Sequence, residues 1–169
     1  LAVSSIVLDQ SNPEIIYAAI SDNVWYGPPS IGVYKSIDGG GSWSNTSLEF
    51  QFSDNTRIYW MTAKPDNQNI IFVGTSDGLY KTSDGFETVE LIAEGVVSDV
   101  KFKPGSPEEV YFVGSTSSFF KSSDGGITFE QSTNQVPGSG RRRLIVSELN
   151  PELIYVSANN MLFKSTDSG

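Results

Sequence analysis

The sequence predicts an all-β chain of about four β-propeller blades, each of four antiparallel strands, making a partial or half propeller. Three observations predict it. Two short signatures recur four times in the same order along 169 residues. No segment sustains a 3.6-residue apolar period, so helices are not expected. The composition, with 12% aromatic residues, 16 Gly and 8 Pro, suits short strands joined by tight turns.

The first signature is an aromatic residue, Lys, Ser or Thr, and then an Asp two positions on. It reads Tyr34-Lys35-Ser36-Ile37-Asp38-Gly39, Tyr80-Lys81-Thr82-Ser83-Asp84-Gly85, Phe120-Lys121-Ser122-Ser123-Asp124-Gly125 and Phe163-Lys164-Ser165-Thr166-Asp167-Ser168. Successive aspartates lie 46, 40 and 43 residues apart. The second signature precedes each copy: Asn12-Pro13-Glu14-Ile15-Ile16-Tyr17, Asn67-Gln68-Asn69-Ile70-Ile71-Phe72, Pro107-Glu108-Glu109-Val110-Tyr111 and Asn150-Pro151-Glu152-Leu153-Ile154-Tyr155. Four-stranded units of roughly 40–45 residues are what propeller blades require.

Within each unit the first strand is expected at 6–8, 59–63, 100–102 and 144–146, followed by a turn rich in Asn, Pro and Asp. Second strands follow at 15–20, 70–74, 110–114 and 153–157. The third strand carries the aromatic-Lys signature, and the fourth leaves the Asp turn at 43–46, 88–92 and 128–131. The blades therefore divide as 1–50, 51–95, 96–137 and 138–169, the last incomplete. Leu1 in place of Met, with no recognisable leader, reads as a processed or excised piece. A part ring leaves an apolar face at each end, so the expected partner is the remainder of a longer propeller or a second copy completing the ring.

The aspartate turn resembles the BNR or Asp-box motif, Ser-x-Asp-x-Gly-x-Thr/Ser-Trp/Phe. Ser36, Asp38, Gly40, Ser42 and Trp43 match it, as do Ser122, Asp124, Gly126, Thr128 and Phe129. In the second copy Thr82, Asp84 and Thr88 fit, but Phe86 replaces the second glycine and Val89 the terminal aromatic. The fourth keeps Ser165, Asp167 and Gly169. The resemblance covers nearly the whole chain and is to the propellers of sortilin-type receptors, xyloglucanase-type glycosidases and the photosystem II assembly factor, with sialidases more distant. It implies a structural role for these turns, away from the ligand face, and an extracytoplasmic (secreted or periplasmic) location. Physically, a short Asp side chain accepts hydrogen bonds from nearby N–H groups while glycines supply positive φ.

Charge and composition exclude several chemistries. A net charge of −9 repels a phosphate backbone, so nucleic acid is not an expected partner. The chain has no His and no Cys, which removes imidazole bases, thiol nucleophiles, disulfides and His- or Cys-ligated zinc. No carboxylate spacing suggests a calcium loop, so no metal and no cofactor are expected. No apolar run approaches a membrane span.

Two places stand out as a ligand site. The first blade holds 21 residues between Tyr17 and Asp38, against 12 or 13 in the others, and the extra length carries Trp25 and Tyr26, flat amphipathic rings suited to stacking on a sugar or peptide. Counting back twelve positions from Tyr17, Phe72, Tyr111 and Tyr155 gives Ser5, Trp60, Asp99 and Arg143, whereas eleven back gives the apolar Ile6, Met61, Val100 and Leu144. The apolar set is expected in the core. The divergent set is expected where the innermost strand enters from the ligand face, with Trp60, Asp99 and Arg143 lining one pocket or Asp99 and Arg143 forming a rim ion pair. In the run Arg141-Arg142-Arg143, strand alternation sends Arg142 opposite to its neighbours, and the run is expected to form a solvated charged rim. Contiguous arginines do not reproduce a sialidase clamp.

Glycoside hydrolysis needs only a carboxylate pair, and Asp99 and Asp54 are the candidates, though their spacing does not mark them as acid and base. The reading put first is a non-catalytic recognition propeller binding a glycan or polypeptide on its channel face. The alternatives are a fragment of a secreted, carbohydrate-active glycoside hydrolase and an assembly or scaffold factor for a larger complex.

Overall fold

The computed structural model describes residues 2–21, 29–114, 118–138 and 140–169. The fold is all-β, that of a partial β-propeller. It divides into two compact units, Leu1–Glu94 and Gly95–Gly169. Among the described residues no helix is long and apolar enough to cross a membrane.

The first unit holds two four-stranded antiparallel sheets. One is ordered β1 (Val3–Leu8), β2 (Ile16–Ile20), β3 (Gly32–Ser36), β4 (Ser44–Glu49); the other β5 (Ile58–Lys64), β6 (Asn67–Thr75), β7 (Gly78–Thr82), β8 (Glu90–Glu94). A single 3-10 turn, Phe52–Asp54, joins them. The second unit holds β9 (Val97–Lys103), β10 (Ser106–Gly114), β11 (Phe119–Ser122) and β12 (Glu130–Gln131) in one sheet, and β13 (Arg142–Val146), β14 (Ile154–Ala158) and β15 (Met161–Ser165) in another. Every pairing is between sequence neighbours, as short hairpin connections dictate.

The second strands are apolar in unbroken runs because they are covered on both faces. Tyr17, Ala18 and Ala19 are buried in β2, Ile71 to Thr75 in β6 and Val110 to Gly114 in β10. One cluster joins Val7, Tyr17, Val33 and Leu48 to Ile58, Met61, Ile71, Val73 and Phe86. In the second unit another joins Tyr111, Val113, Phe119 and Val136 to Leu144, Ile154, Val156 and Ala158.

Three details differ from the sequence reading. The strands β6 and β10 begin at Asn67 and Ser106, earlier than expected, because their two-residue turns continue the ladder with a register shift rather than breaking it. The strands after the aspartate turns begin later, at Ser44, Glu90 and Glu130, because the preceding hydroxyl residues are bonded back into the turn. Ile6 is 60% exposed, whereas Met61, Val100 and Leu144 at the same repeat position are 2% exposed or less. Val7 joins the cluster on one face of the β1 sheet, and Ile6 lies on the opposite face, against which none of the described sheets packs.

Candidate functional site

The aspartate turns are closed by their own side chains. Ser36 Oγ donates to Asp38 Oδ1 at 2.7 Å and accepts from Gly40 N at 2.8 Å, while Ser42 Oγ donates to Asp38 Oδ2 at 2.6 Å. Thr82 and Thr88 donate to the two oxygens of Asp84 at 2.9 and 2.6 Å, and Ser122 and Thr128 to those of Asp124 at 2.6 and 2.5 Å. Gly126 N donates to Ser122 Oγ at 2.9 Å. In the fourth turn Ser165 donates to Asp167 Oδ1 at 2.5 Å. Phe129 packs edge-on against Phe112 with centroids 4.9 Å apart, whereas Trp43 stays 43% exposed and donates from Nε1 to the Gly40 carbonyl.

Hydroxyl and amide donors favour the ionised carboxylate. The Ser42 hydroxyl, foremost, holds Asp38 down at about 2, the Thr88 hydroxyl does the same for Asp84, and Ser122 leads in depressing Asp124. A carboxylate lowered in the folded state stabilises it above the unfolded value of 3.8, and that support is lost as pH falls towards 2. We therefore expect the thermal midpoint to drop over that window. Asp38→Asn with Asp84→Asn should flatten the first unit's share of the slope, and an unchanged slope in the double variant would remove the turns as its source.

The Asp84 and Asp167 turns are also gripped by the preceding sheet of their unit. Tyr17 Oη and Lys35 Nζ both donate to the Gly85 carbonyl, at 3.5 and 3.3 Å. In the second unit Lys103 Nζ reaches Glu109 at 3.1 Å, Glu152 at 3.0 Å and Ser168 Oγ at 3.1 Å, while Lys121 Nζ and Tyr111 Oη engage the other oxygen of Glu109 at 3.2 Å. Lys35 of the repeated signature thus holds the next turn, a role that repetition alone did not disclose, while in the second unit Lys103, outside the signature, does so.

Of the residues twelve positions before the repeated aromatic, Ser5 and Asp99 accept from backbone amides of the next sheet. Ser5 Oγ accepts from Met61 N at 3.1 Å. Asp99 Oδ1 accepts from Val100 N at 2.9 Å and Oδ2 from Leu144 N at 3.0 Å. In both cases the donor lies one position after the matching residue of the next sheet, so the site is an acceptor for the neighbouring inner strand. Lys101 Nζ lies 3.6 Å and Arg143 NH1 4.0 Å from the Asp99 carboxylate. Asp99 is only 2% exposed, and burial pushes its carboxyl above the ordinary value against the pull of the Leu144 amide, Lys101 and Arg143. Burial likewise lowers the Lys101 ammonium.

The structure thus brings Asp99 and Arg143 within 4.0 Å, with Asp99 buried and the Arg143 side chain 39% exposed. Trp60 is half-buried on β5 of the first unit, opposite Gly74. Asp54 is exposed and accepts from Gln51 N at 2.8 Å, closing the 3-10 turn. Trp25 and Tyr26 lie outside the described residues. Among the described residues no group of three carboxylates is arranged to hold a metal.

Arg142 departs from the expected solvated rim. It is 0% exposed and donates to the carbonyls of Gly114 at 2.6 Å, Gly138 at 2.6 Å and Val136 at 3.3 Å. Alternation had separated it from Arg141 and Arg143, and that separation was the sequence signal. An inward-pointing guanidinium, desolvated here so that its pKa is lowered, holds together the β10 end and the 136–138 segment.

No family model matches the chain. The chain is 25% identical over 167 residues, 93% of its length, to the xyloglucanase of Hypocrea jecorina. It is 30% identical over 92 residues, 53% of its length, to the oligoxyloglucan-reducing end-specific xyloglucanase of Emericella nidulans. Among solved structures, an ancestral GH74 enzyme superposes on 99% of this chain with a TM-score of 0.80 at 23% identity. The blades are propeller blades. The chain spans 19% and 10% of the two curated relatives and 23% of that structure, so it resembles a fraction of a larger propeller.

Proposed function

We propose that this chain supplies blades to the propeller of an extracytoplasmic, xyloglucan-acting glycoside hydrolase, and that its contribution is glycan contact at the ligand-face ends of the innermost strands. The observation that carries this reading is the similarity to a xyloglucanase along 93% of the chain. It supports the hydrolase alternative over the recognition propeller that the sequence put first.

The assignment of roles follows from the geometry. Asp99 is buried with both carboxylate oxygens bonded to backbone amides, and Asp54 caps a turn. We assign them positioning roles, Asp99 for the Arg143-bearing strand and Asp54 for the loop entering β5. Sugar contact is assigned to Trp60 and Arg143, with Trp25 and Tyr26 added from the sequence. An aromatic ring offers a flat face to the axial hydrogens of a sugar, and a guanidinium donates to ring hydroxyls.

Affinity electrophoresis in xyloglucan-containing gels tests this. The chain should be retarded by xyloglucan, and Trp60→Ala should weaken retardation several-fold, the scale of one stacked ring at about 1 kcal/mol. Migration unaffected by xyloglucan, or equal retardation of Trp60→Ala, would overturn the assignment.

A further inference from the structure

Asn45-Thr46-Ser47 is the one Asn-x-Ser/Thr triplet in the chain. Such a triplet is the acceptor for N-linked glycosylation, and the hydroxyl two residues on is what the transferring enzyme holds beside the asparagine amide. It falls on β4, the outermost strand of the first sheet, with Asn45 opposite Tyr34 of β3. The neighbouring hydroxyls are turned onto main-chain carbonyls: Ser44 onto Lys35 at 3.3 Å, Thr46 onto Val33 at 2.9 Å and Ser47 onto Phe86 at 2.8 Å. The Asn45 side chain is exposed.

That exposure belongs to the place in the blade. In the second sheet the same place, opposite Tyr80, is held by Leu91. Tyr80 packs against the first unit's apolar cluster, so this face of the second sheet is covered, and Leu91 is still 44% exposed. Gln131, opposite Phe120, is likewise exposed. A side chain at this position of an outermost strand stands at solvent even where a neighbouring sheet covers the strands inside it.

We infer that Asn45 is a site of N-linked glycosylation, and that its glycan is added before β4 meets the turn of the second sheet. In the transfer, Asn45 Nδ2 attacks the anomeric carbon of an oligosaccharide carried on a polyprenyl diphosphate. The N–C bond forms, the C–O bond to the diphosphate breaks, the polyprenyl diphosphate leaves and one Nδ2 proton passes to solvent. The order follows from Ser47. In the folded chain its hydroxyl and its amide N–H both donate to the Phe86 carbonyl, at 2.8 and 3.2 Å, so the hydroxyl that the transferase needs is already committed. In the unfolded chain that carbonyl is 39 residues away in sequence and the triplet is free to be held. Once the fold closes, the glycan projects from the outermost strand and shields the edge of β4 from pairing with other chains.

The inference shares with the proposed function only the extracytoplasmic location, and the test imposes that location with an added leader, so either can fail alone. The chain is secreted from yeast and its intact mass is measured. A mass increase of one oligosaccharide is expected, removed by peptide N-glycosidase with conversion of Asn45 to aspartate, and lost in Asn45→Gln. For the order of events, microsomal membranes carrying the lipid-linked donor are given either the purified, folded, unglycosylated chain or a peptide copying residues 41–50. The peptide should be modified and the folded chain should not. A secreted chain without sugar at position 45, or the same mass increase in Asn45→Gln, would overturn the site. Modification of the folded chain as readily as the peptide would overturn the order.

Discussion

Phe86→Ala is expected to destabilise the first unit by about 3–4 kcal/mol, the cost of truncating a well-packed phenylalanine. Phe86 is 3% exposed, lies in the unit's apolar cluster and packs on Tyr17 with centroids 5.3 Å apart. Its backbone sits at φ 69, a region that normally favours glycine, and the motif has glycine at this position in the first and third copies. The second turn thus accepts backbone strain and gains a core side chain. Its main chain is fixed meanwhile by the amide bond to Thr82 Oγ1 at 2.9 Å and by Ser47, whose hydroxyl donates to the Phe86 carbonyl at 2.8 Å. Phe86→Gly relieves the strain while losing the same side chain, so it should be less damaging than Phe86→Ala by about 1 kcal/mol. Chemical denaturation of the three proteins measures both quantities. A glycine variant more stable than the parent would show that strain outweighs packing and would reject this account of the turn.

Arg142→Met should cost the second unit about 3–5 kcal/mol, because it leaves three carbonyls that the guanidinium satisfied in a buried setting. The two terminal nitrogens divide between Gly114 on one side and Val136 and Gly138 on the other. A lysine at this position carries its donors on one nitrogen and cannot span the same fork, so Arg142→Lys should recover only part of the loss. Amide exchange should quicken through the 132–138 segment in both variants. Methionine tolerated without loss of stability would mean that those carbonyls find other donors, and that the guanidinium is not what secures this segment.

Most of the architecture was legible because repetition samples the same local physics four times. The aspartate turns, the paired hydroxyls and the hairpin order all follow from residues close in sequence, and each recurs in the bonds observed. What lies on the far side of a strand is a different matter. Alternation states that Ile6 and Val7 point oppositely, but not which of them meets another of the described sheets. The candidate site was legible as a set of divergent positions and not as chemistry. Nothing in the composition of Ser5 or Asp99 announces that each accepts from the amide of a strand some 45–56 residues away. For Arg142, charge suggested solvent while alternation pointed inward, and the carbonyls waiting there settled the competition.

The proposed contact of these blades with a xyloglucan-type glycan lies at the ends of their innermost strands. Nuclear magnetic resonance titration with a xyloglucan-derived oligosaccharide measures it residue by residue. Saturable shifts are expected at the Trp60 indole N–H, the Arg143 side chain and nearby β5 and β13 amides, with the turns of Asp38, Asp84, Asp124 and Asp167 silent. Shifts confined to those aspartate turns, or no saturable shift at Trp60 and Arg143, would contradict it.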